Sequence, residues 1–553
     1  MASPEEPTNL NESSSSPTQP LLSKSYPSPS IDEHLLHSQQ SDIDPTQFPQ
    51  ISYNYNPRPF KDLTFLILFL LLCLSTFVFG IFSIANKNPN FSSLSSFSFD
   101  PKSSSCVKNS SFNHGAVLNF NGFFLNFDGF SNLNSNNASF VEGVVWVLLI
   151  TFILSLPMIW GVLLLLKHYT KQIVYVCLPF FIVIPFGVNV YWFVACTLSS
   201  SCSDALPLAY RILLMIFVFL VIGVLVWIFM LNWHRIELTI NIIGVASDAL
   251  SRNLGLFGVV PCLKLGLVVF YVPIVVFLVF ARFNGKIVGR DHKGVYHCEW
   301  KQDSWVPAYY ALAILTMLWS ATVMFELKAY VTSATIAQWY FSNDDATPKR
   351  KIRSSLRNAF GPSAGTICFS GLLVCIVRMV RAAVDSARRE DNSGIVNVVL
   401  QCMVRVFLAA IDFMNKFTIN FAAITGEAYC ASARMTYELL RRNLMSPVFV
   451  ETISSRLLAG IIFVLSAVYA VVVCAILNGV TNLGVTSYWV ALLAWLLLIV
   501  MLGFFAHLLD NVIDTIYVCY AIDRDRADVS KPDIHHVYVQ LPISRSARTP
   551  LNV

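Results

Sequence analysis

Along the chain, long apolar runs alternate with short polar and charged segments. Ten runs are about 20 residues long: 63–85, 143–166, 173–195, 211–232, 258–281, 306–329, 362–382, 399–424, 455–478 and 487–509. At 1.5 Å of rise per helical residue, about 20 residues cross the roughly 30 Å hydrocarbon core of a bilayer. Lipid offers no partner for backbone N–H and C=O groups, so helices are the expected spanning element. The ten-residue alternation of a transmembrane barrel is absent. The pattern predicts an all-α integral membrane protein, a polytopic helical bundle of about ten transmembrane helices. Residues 1–60 read as a cytosolic tail, 61–520 as the transmembrane domain with an extracellular loop 86–142, and 521–553 as a second cytosolic tail.

Composition agrees. Apolar residues make up 55% of the 553 and charged residues 13%, against roughly 25% charged in soluble domains. The net charge of +5 is small for this length and gives no reason to expect nucleic acid. The thirteen cysteines show no paired CxxC spacing, so neither a metal nor another cofactor is expected. The first apolar run begins too late for a cleavable signal segment. The tail's Ser13 to Ser16 run and its Ser-Pro pairs predict disorder.

Charge placement gives orientation. An even count of spans puts both termini on one side. Arg58, Lys61, Lys167, Lys171, Arg235, Arg252, Arg353, Arg357, Arg434 and Arg441 flank the ends assigned to that side, which the positive-inside rule makes cytosolic. Sequons at Asn90, Asn109 and Asn137 in the first long loop point to glycosylation on the other side. A tail sequon at Asn11 would stay empty. Two basic stretches resist the scheme, residues 282–305 and Arg378, Arg381, Arg388 and Arg389. Cys106, Cys202 and Cys298 fall outside, with Cys196 at a span end. Cys298 is expected to pair with Cys202 or Cys106, since disulfides persist there.

Three strings in the second half carry a family resemblance. Ala334-Thr335-Ile336-Ala337-Gln338-Trp339-Tyr340-Phe341 resembles the segment that closes the middle span of the choline transporter-like family. Ala423 to Ala433, read ITGEAYCASA from Ile424, resembles its signature IYGxNFCxSA. Val518 to Asp525 resembles the acidic motif after its last span. Glu427 and Ala428 stand where animal members have Lys and Asn, which implies a divergent, plant-type member. The resemblance implies a transporter of choline or a related organic cation, working by a facilitative or secondary mechanism.

Ionisable residues inside spans are costly and mark candidate sites. Glu326 has Trp319 seven residues before it and Tyr330 four after, on one helical face; the alternative is that span six ends near Met324, with Glu326 at the interface beside Lys328 and the aromatics an ordinary interfacial belt. A quaternary ammonium cannot donate N–H bonds, so a carboxylate and aromatic faces suit it; Trp339 and Tyr340 extend the aromatic set. Asp412 and Lys416 stand four residues apart, able to neutralise each other on the helix, as a structural pair facing other helices or as a gate. His507, Asp510, Asn511 and Asp514 share a polar face that suits proton coupling or is simply a polar cytosolic helix end. Small residues (Ala364, Cys368, Gly371; Ala459, Ser466, Ala470, Cys474) mark helix packing, and Pro157, Pro185 and Pro273 mark kinks. No HExxH, Walker sequence or triad points to an enzyme. The expected partners are a small organic cation and the bilayer, the expected state a monomer, and the location the plasma membrane or an endomembrane. An ion channel, a lipid-handling protein and a scaffold are the competing classes.

Overall fold

The computed structural model describes residues 53, 57–91, 97–100, 105–108, 135–198, 202, 207–292, 295–342, 351–390, 395–443, 445–480, 486–526 and 529–541. Most of the 1–60 tail, with Asn11 and the Ser13 to Ser16 run, lies outside the described residues. So do Asn109 and residues 542–553, and of Asn137 only the backbone is described.

Thirteen helices follow one another among the described residues, with two pairs of short strands between them. They are α1 (Leu63–Ala85), α2 (Ser135–Leu198), α3 (Leu208–Leu231), α4 (Trp233–Ser251), α5 (Leu256–Ala281), α6 (Val306–Tyr340) and α7 (Lys351–Phe360). There follow α8 (Ala364–Glu390), α9 (Ile395–Thr425), α10 (Tyr429–Asn443), α11 (Met445–Val480), α12 (Thr486–Arg526) and α13 (Pro532–Tyr538). Strands β1 (Phe97–Asp100) and β2 (Ser105–Lys108) precede α2, and β3 (Gly285–His292) and β4 (Val295–Gln302) join α5 to α6.

Eight of these helices, α1, α2, α3, α5, α6, α8, α11 and α12, are long and apolar enough to cross a membrane. Helix α2 leaves helical geometry at Tyr169 (φ −130°, ψ 26°), so its 64 residues are two helices that hold the second and third expected spans. The eighth run lies in α9, 31 residues long, whose Gln401, Arg405, Asp412, Asn415 and Lys416 keep it out of the apolar set. Exposed Leu70, Leu74, Leu213, Leu220, Val268 and Val269 on α1, α3 and α5 are what a lipid-facing surface requires.

The two ends of the bundle differ. At 35 and 41 residues, α6 and α12 reach roughly 52 and 61 Å, well past the hydrocarbon core. Their last turns are buried almost continuously, from Tyr330 to Tyr340 and from Val512 to Ile522. They pack with α4, α7, α10, α13 and the end of α9 into a layer beyond the bilayer. At the opposite end the strands form two antiparallel hairpins, which the all-α expectation did not include. Phe99 stacks on Tyr296 at 4.5 Å, and Cys106 is joined to Cys298. Cys202 closes a short loop with Cys196 instead. The basic stretch 282–305 is this second hairpin, with Arg290 3.3 Å from Glu299.

Two glycines show why the sequence folds closely here. A Cβ on Gly371 of α8 would lie 2.8 Å from the Val323 backbone nitrogen of α6, so only glycine allows that crossing. Gly426 has φ +76° just past α9, and its N–H bonds back to the Ala422 carbonyl, a left-handed helix stop that favours glycine.

Candidate functional site

The face of α6 that carries Trp319, Glu326 and Tyr330 turns toward α8. Trp319 Nε1 donates to the Cys368 carbonyl (3.1 Å), and its ring meets Phe69 edge-on at 5.2 Å. Ser370 Oγ donates to Glu326 Oε2 (2.8 Å) and stands 2.9 Å from Asn415 Oδ1. Tyr429 Oη donates to the same Asn415 oxygen at 2.6 Å. The Phe369 ring lies 4.6 Å from Tyr429 and stacks at 4.0 Å on Phe65. Glu326 is thus held by α8 and α9, with Tyr429 at the start of α10 bonded to its neighbour Asn415, and is 9% exposed.

No ion pair among the described residues includes Glu326. The nearby Arg378 guanidinium lies over the Phe325 ring at 5.0 Å instead. A buried carboxylate that has hydroxyl partners but no counter-ion is expensive. The cluster sits about 30 Å along α6 from Val306, so it lies near the layer end and not at the middle of the bundle.

The larger aromatic cage does not form. Tyr340, about 21 Å further along α6 than Glu326, donates to Asp523 Oδ2 at 3.0 Å. Asp523 also accepts from the Ser530 backbone N–H and hydroxyl. Trp339 packs half-buried against the layer core. Tyr330 accepts from Arg58 Nη1 (2.7 Å) and donates to Ser363 (2.8 Å). Its hydroxyl serves a clamp, not a ligand cage.

That clamp was missed from sequence, where Arg58 reads only as a flanking charge. Its guanidinium is 6% exposed and also donates to the carbonyls of Ala423 and Ile424, at 3.0 and 3.2 Å. A cation on the last carbonyls of α9 complements the helix dipole. Asp62 Oδ2 accepts from Thr366 and from the Tyr429 N–H, both at 2.8 Å, and Lys61 pairs with Glu427 at 3.3 Å. Residues 58–62 therefore tie α1 to α6, α8, α9 and α10 directly beneath Glu326.

Asp412 and Lys416 face other helices and do not neutralise each other. Asp412 binds Arg381 of α8 at 2.7 Å, and Lys416 binds Asp514 of α12 at 2.5 Å. Two residues four apart point to different neighbours because α9 is packed on both flanks. With Arg405–Asp385, the Arg381–Asp412 pair straps α8 to α9 on the hairpin side of Glu326. This gives Arg381, one of the arginines that resisted the orientation scheme, a structural place.

The polar face of α12 holds together. His507, Asp510 and Asn511 line a cavity of about 480 Å³ with Lys416, Lys328 and residues of α11. Asp514 lies behind it, 1% exposed, on Lys416. Among the described residues no group of three or more His, Cys, Asp or Glu is arranged to hold a metal.

A family model described as plasma-membrane choline transporter matches residues 216–525. A CTL-like protein of Dictyostelium discoideum is 24% identical over 236 residues, 40% of this chain and 43% of its own length. Choline transporter-like protein 3 of Bos taurus is 23% identical over 311 residues, 54% of this chain and 46% of its own. Choline transporter-like protein 5 of Macaca fascicularis is 24% identical over 263 residues, 44% and 35% respectively. The chain matches less than half the length of these relatives. The matched region holds all three strings read from the sequence, and the structure brings the first and third together. Tyr340 of the first meets Asp523 of the third, and Arg58 seats on the second.

Proposed function

This chain belongs to the plasma-membrane choline transporter family, and on that premise we propose that it carries choline or a related organic cation across a membrane. The observation that supports this most is the buried Glu326 carboxylate, which has no ion-pair partner among the described residues; Ser370 and Asn415 link it to Tyr429, whose ring meets Phe369, and Trp319 lies two turns before it on α6. A methylated ammonium would neutralise that charge and present its methyl groups to the rings.

The sealing contacts suggest how access alternates. The Arg381–Asp412 and Arg405–Asp385 straps close the hairpin side, and the clamp of residues 58–62 closes the other. Opening one while the other stays shut would expose the cluster to one face at a time, by a facilitative or secondary mechanism. In this reading the hairpin end, with its disulfides and the exposed Asn90 sequon, is extracytosolic. The layer end and both tails are cytosolic, in the plasma membrane or an endomembrane. The chain acts as a monomer, and it supplies transport without catalysis.

Charge recognition can be tested by binding. Choline should raise the melting temperature of the purified protein. Its uncharged carbon isostere, 3,3-dimethylbutan-1-ol, should not. Equal shifts from both would show that shape, and not charge, is read; no shift from either would remove the choline assignment.

A further inference from the structure

The Lys328 cavity is set apart from Glu326 by its charge. It is lined by Lys328, Lys416, His507 and Asn511, with Asp510 on the same wall. Lys264 of α5 reaches over the Phe504 ring at 4.0 Å. It lies within electrostatic range of both Lys328 and His507. Lys416 is committed to Asp514, while Lys328 and Lys264 face each other, with Glu326 acting on Lys328 only at longer range. Neither has a carboxylate at ion-pair distance among the described residues; each has only a ring, Phe325 and Phe504. A site for a cation would not gather ammonium groups, whereas a site for an oxyanion would.

The depth of the cavity narrows the ligand. From the hairpin end, Lys328 lies about 33 Å along α6, His507 about 32 Å along α12, Lys416 about 32 Å along α9 and Lys264 about 26 Å along α5. Those values match the roughly 30 Å hydrocarbon thickness, so the basic groups converge at one leaflet's headgroup boundary. The remaining wall is apolar, with Ile462 and Phe463 on α11 and Ile499 and Gly503 on α12. Phe463 on this wall is exposed. Basic groups at headgroup depth above an apolar furrow suit a phosphate whose acyl chains lie along the furrow.

We infer that the cavity between α6, α9, α11 and α12 is a binding site for a phosphate oxyanion, held by Lys328 with His507 and Asn511, to which Lys264 adds positive charge from α5 beside the cavity. An anionic lipid headgroup and free phosphate share this chemistry. This site is separate from the proposed cation site, and it does not depend on which cation is carried.

The test uses the full chain in nanodiscs. Melting is measured in phosphatidylcholine alone, in phosphatidylcholine with a phosphatidylinositol phosphate, and in phosphatidylcholine with added inorganic phosphate. A rise with the anionic lipid only identifies a headgroup; a rise with inorganic phosphate as well identifies the oxyanion alone. Both support the site, provided Lys328→Gln and Lys264→Gln each weaken the concentration dependence about tenfold, as loss of one charge-assisted bond implies. Lys171→Gln, which removes an exposed lysine on another face, should leave it unchanged. No rise in the unaltered protein with either addition overturns the inference. So does a rise that Lys328→Gln and Lys264→Gln leave intact, or one that Lys171→Gln abolishes equally. A failure of choline binding in the same samples would bear only on the cation site.

Discussion

Glu326→Gln is expected to lower choline uptake about ten- to a hundredfold while leaving the protein folded. Glutamine keeps the side-chain volume and an oxygen that can accept from Ser370. It removes only the negative charge. A charge-assisted contact contributes about 1.5–3 kcal/mol, and each 1.4 kcal/mol is tenfold. Stability should stay level or rise, because a buried charge without a counter-ion is costly to hold. The opposite signs make the result informative. A merely structural Glu326 would lose stability and uptake together. Uptake at the unaltered level would show that the carboxylate does not bind the cation. The two readouts are initial uptake rates in proteoliposomes and the melting temperature of the same preparation.

Arg58→Ala is expected to lower stability by about 2–6 kcal/mol, since leaving a buried acceptor without its donor costs about 1–3 kcal/mol and two carbonyls would lose theirs. Three acceptors depend on that guanidinium: the Tyr330 hydroxyl and the carbonyls of Ala423 and Ile424. Tyr330 keeps Ser363, but the carbonyls at the end of α9 would be left buried without this donor. Arg58→Lys should recover only part of the loss, since one ammonium cannot reproduce a planar fork. The melting temperature in detergent reads the effect. An unchanged value for Arg58→Ala would mean that the clamp does not hold the layer together.

The contrast between these two residues shows what could be read from the sequence. Glu326 was visible because a carboxylate in an apolar run violates the pattern around it. Its aromatic neighbours on α6 were visible by helical spacing, and Trp319 does lie on its face. Phe369 and Tyr429 were not, because they come from α8 and α10 and reach the site only through tertiary packing. Arg58 sits in a polar stretch where a charge is unremarkable. Nothing local shows that it is buried against residues more than 270 positions away.

The spans follow the same logic. Helices α1, α3, α5, α11 and α12 face lipid, and hydropathy reports lipid contact directly. Helix α4 is buried against protein beyond the bilayer, so its mixed sequence gives no long apolar run, and it was passed over as a charged connection. Helix α9 carries Arg405, Asp412 and Lys416 because each finds a partner on a neighbouring helix. The same partnerships explain why the expected Asp412–Lys416 pair does not form. The cage that was to include Tyr340 fails for a further reason. Helical spacing shows which residues share a face, but not how far apart along 35 residues they lie.

The central claim is that this bundle moves a small organic cation. The most direct measurement is accumulation of radiolabelled choline by proteoliposomes containing the full chain, compared with protein-free vesicles and with Glu326→Gln. The account expects time-dependent uptake that saturates with choline, exceeds that of empty vesicles and falls in Glu326→Gln. Correctly folded protein whose vesicles take up no more choline than empty ones would contradict it.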